Sequence, residues 1–550
     1  MLTAWWMGLL LGSPVRGQAQ AVTGILKLKK FPSDVPWVYP YESMDADRQD
    51  VLIGHDPAIQ VAEGEFVHVW RPELRSMRAR IVRKYNLLME ILWETEVELD
   101  DNETIEYLFR RSDTLCMLTY QYRYGARAHI FQVRPFMIGT GEALPVQELW
   151  QLEAPGSRDV FATMSADQQA LALYYFDRKQ GRVEAATSRN EMRLDGTYGL
   201  RVYGADRVKY RIFTGNMTRF STGEVELPGR KFTVFDCQPD GAGNLYVTGY
   251  EKKAGVRVFF AGIDSGAVSS LFWDDFPRVR HQDDPYITRF VPYLGRDRSL
   301  YLACADRVPT GPRRGIKAFR VARFDFARQE LDLRREVEVT STLLVNAEKQ
   351  RQAAGLRPLR RFDEFLVREV IERPDGTVWF VAQKYHVNSY SDALPAASRP
   401  YLSEEETEEM IWFEFSPEGS LTRVMFVPMA QVTRTYLERL GQFYSLTLTP
   451  DSARVRIVSW EPEQQGFTGP ERIFYREIDL DSARVSPRVM LFEGKRRSQF
   501  LLSAYTEWLS EDLISLVLID GEQGDAWSVC VNIRAKPEEE SEENRRRRRE

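Results

Sequence analysis

Pro374-Asp-Gly-Thr-Val-Trp-Phe-Val-Ala382 carries the pattern on which the fold turns: a tight turn, then a strand apolar on both faces. A continuous apolar run of this length, bounded by turn residues, marks a strand covered from two sides. The same buried strand recurs at Leu171-Ala-Leu-Tyr-Tyr-Phe176, Asn244-Leu-Tyr-Val-Thr248 and Ser299-Leu-Tyr-Leu-Ala-Cys304. It returns at Arg454-Val-Arg-Ile-Val-Ser-Trp460 and Leu513-Ile-Ser-Leu-Val-Leu-Ile519. Repetition at this spacing indicates an array of like units.

A second element follows each buried strand: a half-exposed strand, a turn, and a further short strand. Arg127-Ala-His-Ile-Phe-Gln-Val133 leads to Glu148-Leu-Trp150, Gly255-Val-Arg-Val-Phe-Phe260 to Leu271-Phe-Trp273, and Met410-Ile-Trp-Phe-Glu-Phe415 to Thr422-Arg-Val-Met-Phe-Val427. Four antiparallel strands per unit, graded from buried to exposed, make the blade of a β-propeller, so the chain is expected to be all-β. Units are expected at 102–153, 158–230, 231–275, 286–340, 362–430, 440–493 and 498–534, with a partial unit at about 64–98 ahead of them. If those N-terminal strands complete the last blade the ring has seven blades; if they stand alone it has eight. Seven is the expected count, because sharing a blade between the two ends removes sheet edges and locks the ring. Ser341-Thr342 before Leu343, Leu344 and Ala347 predicts one short capped helix between two blades.

The composition agrees with a packed β protein. Of 550 residues 43% are hydrophobic, with 30 Phe, 24 Tyr and 12 Trp, which excludes a disordered chain. A formal net charge of -6 carries no nucleic-acid footprint, so no nucleic-acid partner is expected. Residues 1–21 read as a signal peptide: Trp5 to Leu11 is a short apolar core and Ala19-Gln20-Ala21 fits a small-x-small cleavage site, although no basic residue precedes the core. The apolar stretch falls short of the ~20 residues of a membrane span, so no transmembrane anchor is expected and the chain is read as secreted or periplasmic. Residues 22–63 are expected to be irregular, 64–534 to form the propeller, and 535–550 to be a disordered acidic and Arg-rich tail. Cys116, Cys237, Cys304 and Cys530 lack metal-type spacing and read as buried structural thiols. No metal or cofactor is expected, and a monomer is.

Connection lengths point to a functional face. In an up-and-down blade, the loop between the second and third strands opens on the same side as the blade-to-blade connection. Pro239-Asp240-Gly241, Pro374-Asp375-Gly376, Pro417-Glu418-Gly419 and Pro450-Asp451-Ser452 are short turns of the opposite face, whereas 177–200, 305–315, 387–408 and the helix-bearing 341–361 are long. Long loops on a rigid scaffold are where binding residues gather. Candidate ligand contacts there are Trp273, His281, Asp283, Asp284 and Tyr286 in one crossing, Tyr385, His386, Asn388 and Tyr390 at the longest insertion, and Trp460 at another lip. Aromatic rings beside carboxamides and carboxylates suit sugars, the rings stacking on apolar sugar faces. No nucleophile elbow, zinc helix or phosphate loop is present.

The stretch from Arg373 to Tyr385, the polar insertion after it, then Phe413-Glu-Phe-Ser-Pro-Glu-Gly419 and Pro428-Met-Ala-Gln431 resemble exported bacterial propeller-type proteins of unknown function. That resemblance implies the architecture and an envelope or extracellular setting, and assigns no catalytic residue. The expected role is a non-catalytic binding or scaffold module for a protein, glycan or envelope component. A propeller hydrolase or lyase acting on a polysaccharide or small ester is the alternative.

Overall fold

The computed structural model describes residues 22–27, 58–62, 65–70, 78–86, 90–153, 160–165, 167–177, 184–185, 202–215, 217, 219–229, 232–251, 255–263, 268–274, 290–294, 299–308, 315–353, 365–389, 403–429, 431–435, 444–449, 453–462, 471–493, 499–501, 507–508, 513–520 and 525–533. The chain is a β-propeller of four-stranded antiparallel sheets, some extended by added strands, with one helix, Ser341–Ala353, among the described residues.

In ring order the blades are 58–98, 103–153, 160–226, 232–273, 290–338, 365–427, 444–493 and 499–532, numbered one to eight below. Blades two to eight coincide with the seven units expected from the sequence. The strands ahead of them form blade one, a complete four-stranded sheet. Closure between the chain's two ends is present but is made by a different strand: Val22–Lys27 pairs antiparallel with Asp525–Asn532 and becomes the outer strand of blade eight. The segment 22–63 therefore carries strands at Val22–Lys27 and Ala58–Ala62 where irregular chain was expected. Ala58–Ala62 then touches both Glu103–Arg111 of blade two and Glu507–Trp508 of blade eight, completing the circuit. The expected signal peptide 1–21 and tail 535–550 lie outside the described residues.

The double burial of each second strand has a simple cause. Alternate residues point to opposite faces of a blade, and each face meets a neighbouring blade. In Ala170–Asp177 every residue is buried. Leu171, Leu173 and Tyr175 pack toward blade two, while Ala170, Ala172, Tyr174 and Phe176 pack toward blade four. In blade six, Val378, Phe380 and Ala382 join the seam with blade five, and Trp379 and Val381 the seam with blade seven. The core is thus a circle of seams.

The helix starts one residue after its cap. The Thr340 hydroxyl accepts the Leu343 N–H at 3.2 Å, so the cap is Thr340, just ahead of the Ser341-Thr342 pair read from the sequence. Leu343 and Ala347, one turn apart, pack over Ile316, Val337 and Phe365 at the end of the seam between blades five and six.

Candidate functional site

Strand register separates the two faces of the ring. One face holds the turns within each inner and each outer hairpin. Arg373 and Thr377 close such a turn through the Thr377 carbonyl at 2.8 Å, and Gly376 turns it at φ +83°, a conformation that favours glycine. Neighbouring turns interlock: Arg373 of blade six reaches Asp481 of blade seven at 2.6 Å, and Asp167 of blade three fills the space beside Gly241 of blade four. The other face holds the blade-to-blade connections and the loops between second and third strands.

Three additions decorate that loop face. The first leaves blade three after Asp177 and returns before Arg207. Its strands Glu184–Ala185 and Val202–Tyr203 pair with each other, and Val202 and Tyr203 pair with Val234 and Thr233. They extend blade four past its innermost strand, Phe232–Pro239. Two added strands advance the sheet by roughly 10 Å toward the ring axis. The second addition lengthens the central hairpin of blade six, where pairing runs from Val378 with Phe415 out to Ser389 with Ser403. Gln431–Thr435 folds back onto Ser403–Thr407 as a third strand of this projection. The helix is the third addition, at the same end as Ile316 and Phe365.

The sequence candidates among the described residues fall at strand ends of this face, on more than one blade. Tyr385, His386 and Asn388 lie along the blade-six projection, opposite Thr407, Glu406 and Glu404. Trp460 pairs with Ile473 near the corresponding end of blade seven. Trp273 is corrected to a core residue: it is 2% exposed and packs with Tyr246, Tyr250, Val256, Leu300 and Leu302 between blades four and five. The end of a last strand is apolar there because the adjacent blade covers it. His281, Asp283, Asp284, Tyr286 and Tyr390 lie outside the described residues.

Sequence reasoning missed an aromatic series on blade two. Tyr120, Tyr122 and Tyr124 alternate along the end of the second strand and into its loop. The Tyr120 hydroxyl and His129 Nδ1 share a hydrogen bond of 2.8 Å. The Tyr122 ring lies 4.9 Å from that of His129 and 4.8 Å from that of Tyr124, the latter perpendicular at 87°. Burial falls along the series, from His129 at 3% exposed to Tyr124 at 68%. The Tyr-x-Tyr-x-Tyr spacing, with period two running off the end of a strand, was the available signal.

Beneath it a carboxylate is held inside the blade. The Glu103 side chain is fully buried and accepts hydrogen bonds from Arg134 Nε (2.9 Å), Arg134 Nη2 (2.7 Å), Gln132 Nε2 (2.7 Å) and the Asp100 N–H (2.7 Å). Burial pushes its pKa up, but Arg134 and the surrounding donors together outweigh that and hold it below the usual carboxylate range. Burial also raises the thiols of Cys116, to about 11, and of Cys237 and Cys304, which keeps them protonated and unreactive. Tyr301 and Tyr475 are raised by burial and by adjacent Glu372 and Glu477. These groups sit within blades or their seams, where burial and, for Glu103, Tyr301 and Tyr475, hydrogen bonding account for them. Among the described residues no three His, Cys, Asp or Glu side chains converge as a metal site would require.

No known sequence family matches the chain, and no curated protein is similar to it in sequence. Solved structures with a similar chain path include a prolyl endopeptidase (9% identity, 85% of this chain and 55% of that one, TM-score 0.37). Others are a post-proline cleaving enzyme from Rickettsia typhi (6%, 86% and 59%, TM-score 0.35) and the β-propeller domain of the Trilobed protease from Pyrococcus furiosus (6%, 78% and 95%, TM-score 0.36). The chain spans less than two thirds of the length of the first two. At these identities and TM-scores the likenesses say nothing of chemistry.

Proposed function

We propose that this chain is an exported, non-catalytic binding or scaffold module whose loop face engages a protein, glycan or envelope component. The observation that carries the reading is the asymmetry of the ring. Three additions enlarge one face, while the opposite face is reduced to short interlocked turns. Extra chain costs ordering entropy, and its concentration on one face of a rigid scaffold supports recognition there. Among the buried carboxylates, Glu103 is held in its ionised form by Arg134 and the surrounding donors, a state suited to holding a blade rather than to exchanging protons with a substrate.

The test replaces Tyr385, His386 and Tyr390 with Ala and measures capture of envelope proteins and immobilised glycans by the folded protein. Loss of capture with a melting temperature close to wild type supports the loop face. Unchanged capture by this variant, or turnover of a polysaccharide or ester by the wild type, would replace the proposal with the hydrolase or lyase reading.

A further inference from the structure

Arg111 ends the innermost strand of blade two, and its guanidinium is buried without a counter-charge. The residue is 6% exposed, at the short-turn end of the seam between blades two and three. Its Nε donates to the Gly215 carbonyl at 3.0 Å and its Nη1 to the Arg110 carbonyl at 3.1 Å, while Nη2 is buried with no hydrogen-bond partner. The Phe109 ring lies 4.9 Å from the guanidinium carbon. Two other cations buried to the same degree each meet a glutamate: Lys84 meets Glu65 at 2.5 Å, and Arg456 meets Glu477 at 3.6 Å. Among the described residues Arg111 makes no such ion pair.

The groups around it do not supply the charge. Asp167, in the inner turn of blade three, attracts the guanidinium from beyond ion-pair distance. Its carboxylate is engaged with its own turn, accepting from the Ser165 hydroxyl at 2.6 Å and the Gln169 N–H at 3.0 Å. Cys116, also close enough to be felt, is protonated. Burial lowers the Arg111 guanidinium from its ordinary pKa, yet an arginine stays charged even so. A buried charge is costly unless it is paired. Water can complete the hydrogen bonding of Nη2 but not its charge balance, and the Phe109 ring is a weak substitute for an anion. An anion answers both needs. The enclosure of Nη2 selects a monatomic ion over phosphate or a partner's carboxylate. Ser112 and Gly215, beside Arg111 in the two turns, are exposed, so the way in from solvent is short.

We propose that Arg111 Nη2 binds a halide ion, chloride, as the counter-charge that fastens the seam between blades two and three. The site lies under the short-turn face and is independent of the loop-face reading. Melting temperatures of the full chain and of Arg111→Met are measured as sodium chloride replaces sodium gluconate at constant ionic strength. Comparing the two proteins removes the general effect of the salts. Wild type is expected to gain about 2–3 °C more than the variant, levelling off once the site is full. An equal response of the two proteins overturns the proposal, and a variant that melts below wild type by the same margin in both salts would make Arg111 a structural contact alone. Should Arg111→Met fail to fold, wild-type crystals soaked in sodium bromide decide the matter. An anomalous peak within hydrogen-bonding range of Arg111 Nη2 supports the site, and no peak there overturns it.

Discussion

Replacing Glu103 with Gln tests the internal electrostatics of blade two in a way that separates charge from shape. The carboxylate is fully buried and its partner Arg134 is 14% exposed. Glu103→Gln keeps the volume and most hydrogen-bonding reach but leaves the guanidinium without its counter-charge. Breaking one side of a buried pair costs about 3–5 kcal/mol, mostly as the penalty of an uncompensated charge. The sign with pH follows from the lowered carboxyl of the folded state. The unfolded chain then takes up the proton first as pH falls. The stabilisation is fully present above the ordinary glutamate range and is lost as pH falls through the folded-state pKa. Urea unfolding of wild type and Glu103→Gln, followed by tryptophan fluorescence from pH 7 to pH 3, should show a lower midpoint for the variant at pH 7. The two curves should converge toward the acid end, where the wild-type carboxyl is also protonated. Equal midpoints at pH 7, or a gap that widens on acidification, would refute the account of Glu103.

Deleting Val22–Lys27 should lower the melting temperature and promote self-association seen by light scattering, since it bares the edge of Asp525–Asn532; a monomer of unchanged stability would show that closure contributes nothing. Phe319→Ala, at 1% exposed between blades five and six, should cost about 3–5 kcal/mol in chemical denaturation through the cavity it leaves. Gly249→Ala should destabilise by about 1–3 kcal/mol, because its Cβ would meet the Phe232 ring and the Thr233 carbonyl. Cys116, Cys237 and Cys304 should resist alkylation at pH 8 until the protein is unfolded, as read by peptide mass spectrometry.

How much of this was legible in the chain depends on whether the signal was local. Leu171 to Phe176 announces a strand between two blades because both of its faces are apolar, and Pro-Asp-Gly turns announce the face opposite the long loops. Val22–Lys27 gives no such notice: it is short, holds Gly24, and owes its place to a strand at the far end of the sequence. The strands Glu184–Ala185 and Val202–Tyr203 are equally silent, since two-residue strands have no periodicity and form here on the edge of another blade. Trp273 misled because an aromatic residue at a strand end looks alike whether it faces a ligand or the next blade. Tyr120, Tyr122 and Tyr124 were readable by spacing, but only the packing shows that the last ring emerges.

The partnership of Val22–Lys27 with Asp525–Asn532 also sets a clock. Val22 meets Val531, so the strand made first waits for almost the last segment of the ring. At ~5–20 residues per second of synthesis, that wait is on the order of a minute. Throughout it, one sheet edge of the growing array has no mate and each newly finished blade offers a bare apolar flank to whatever is nearby. Closure of this ring is therefore a late step that has to wait until both of these strands have been made.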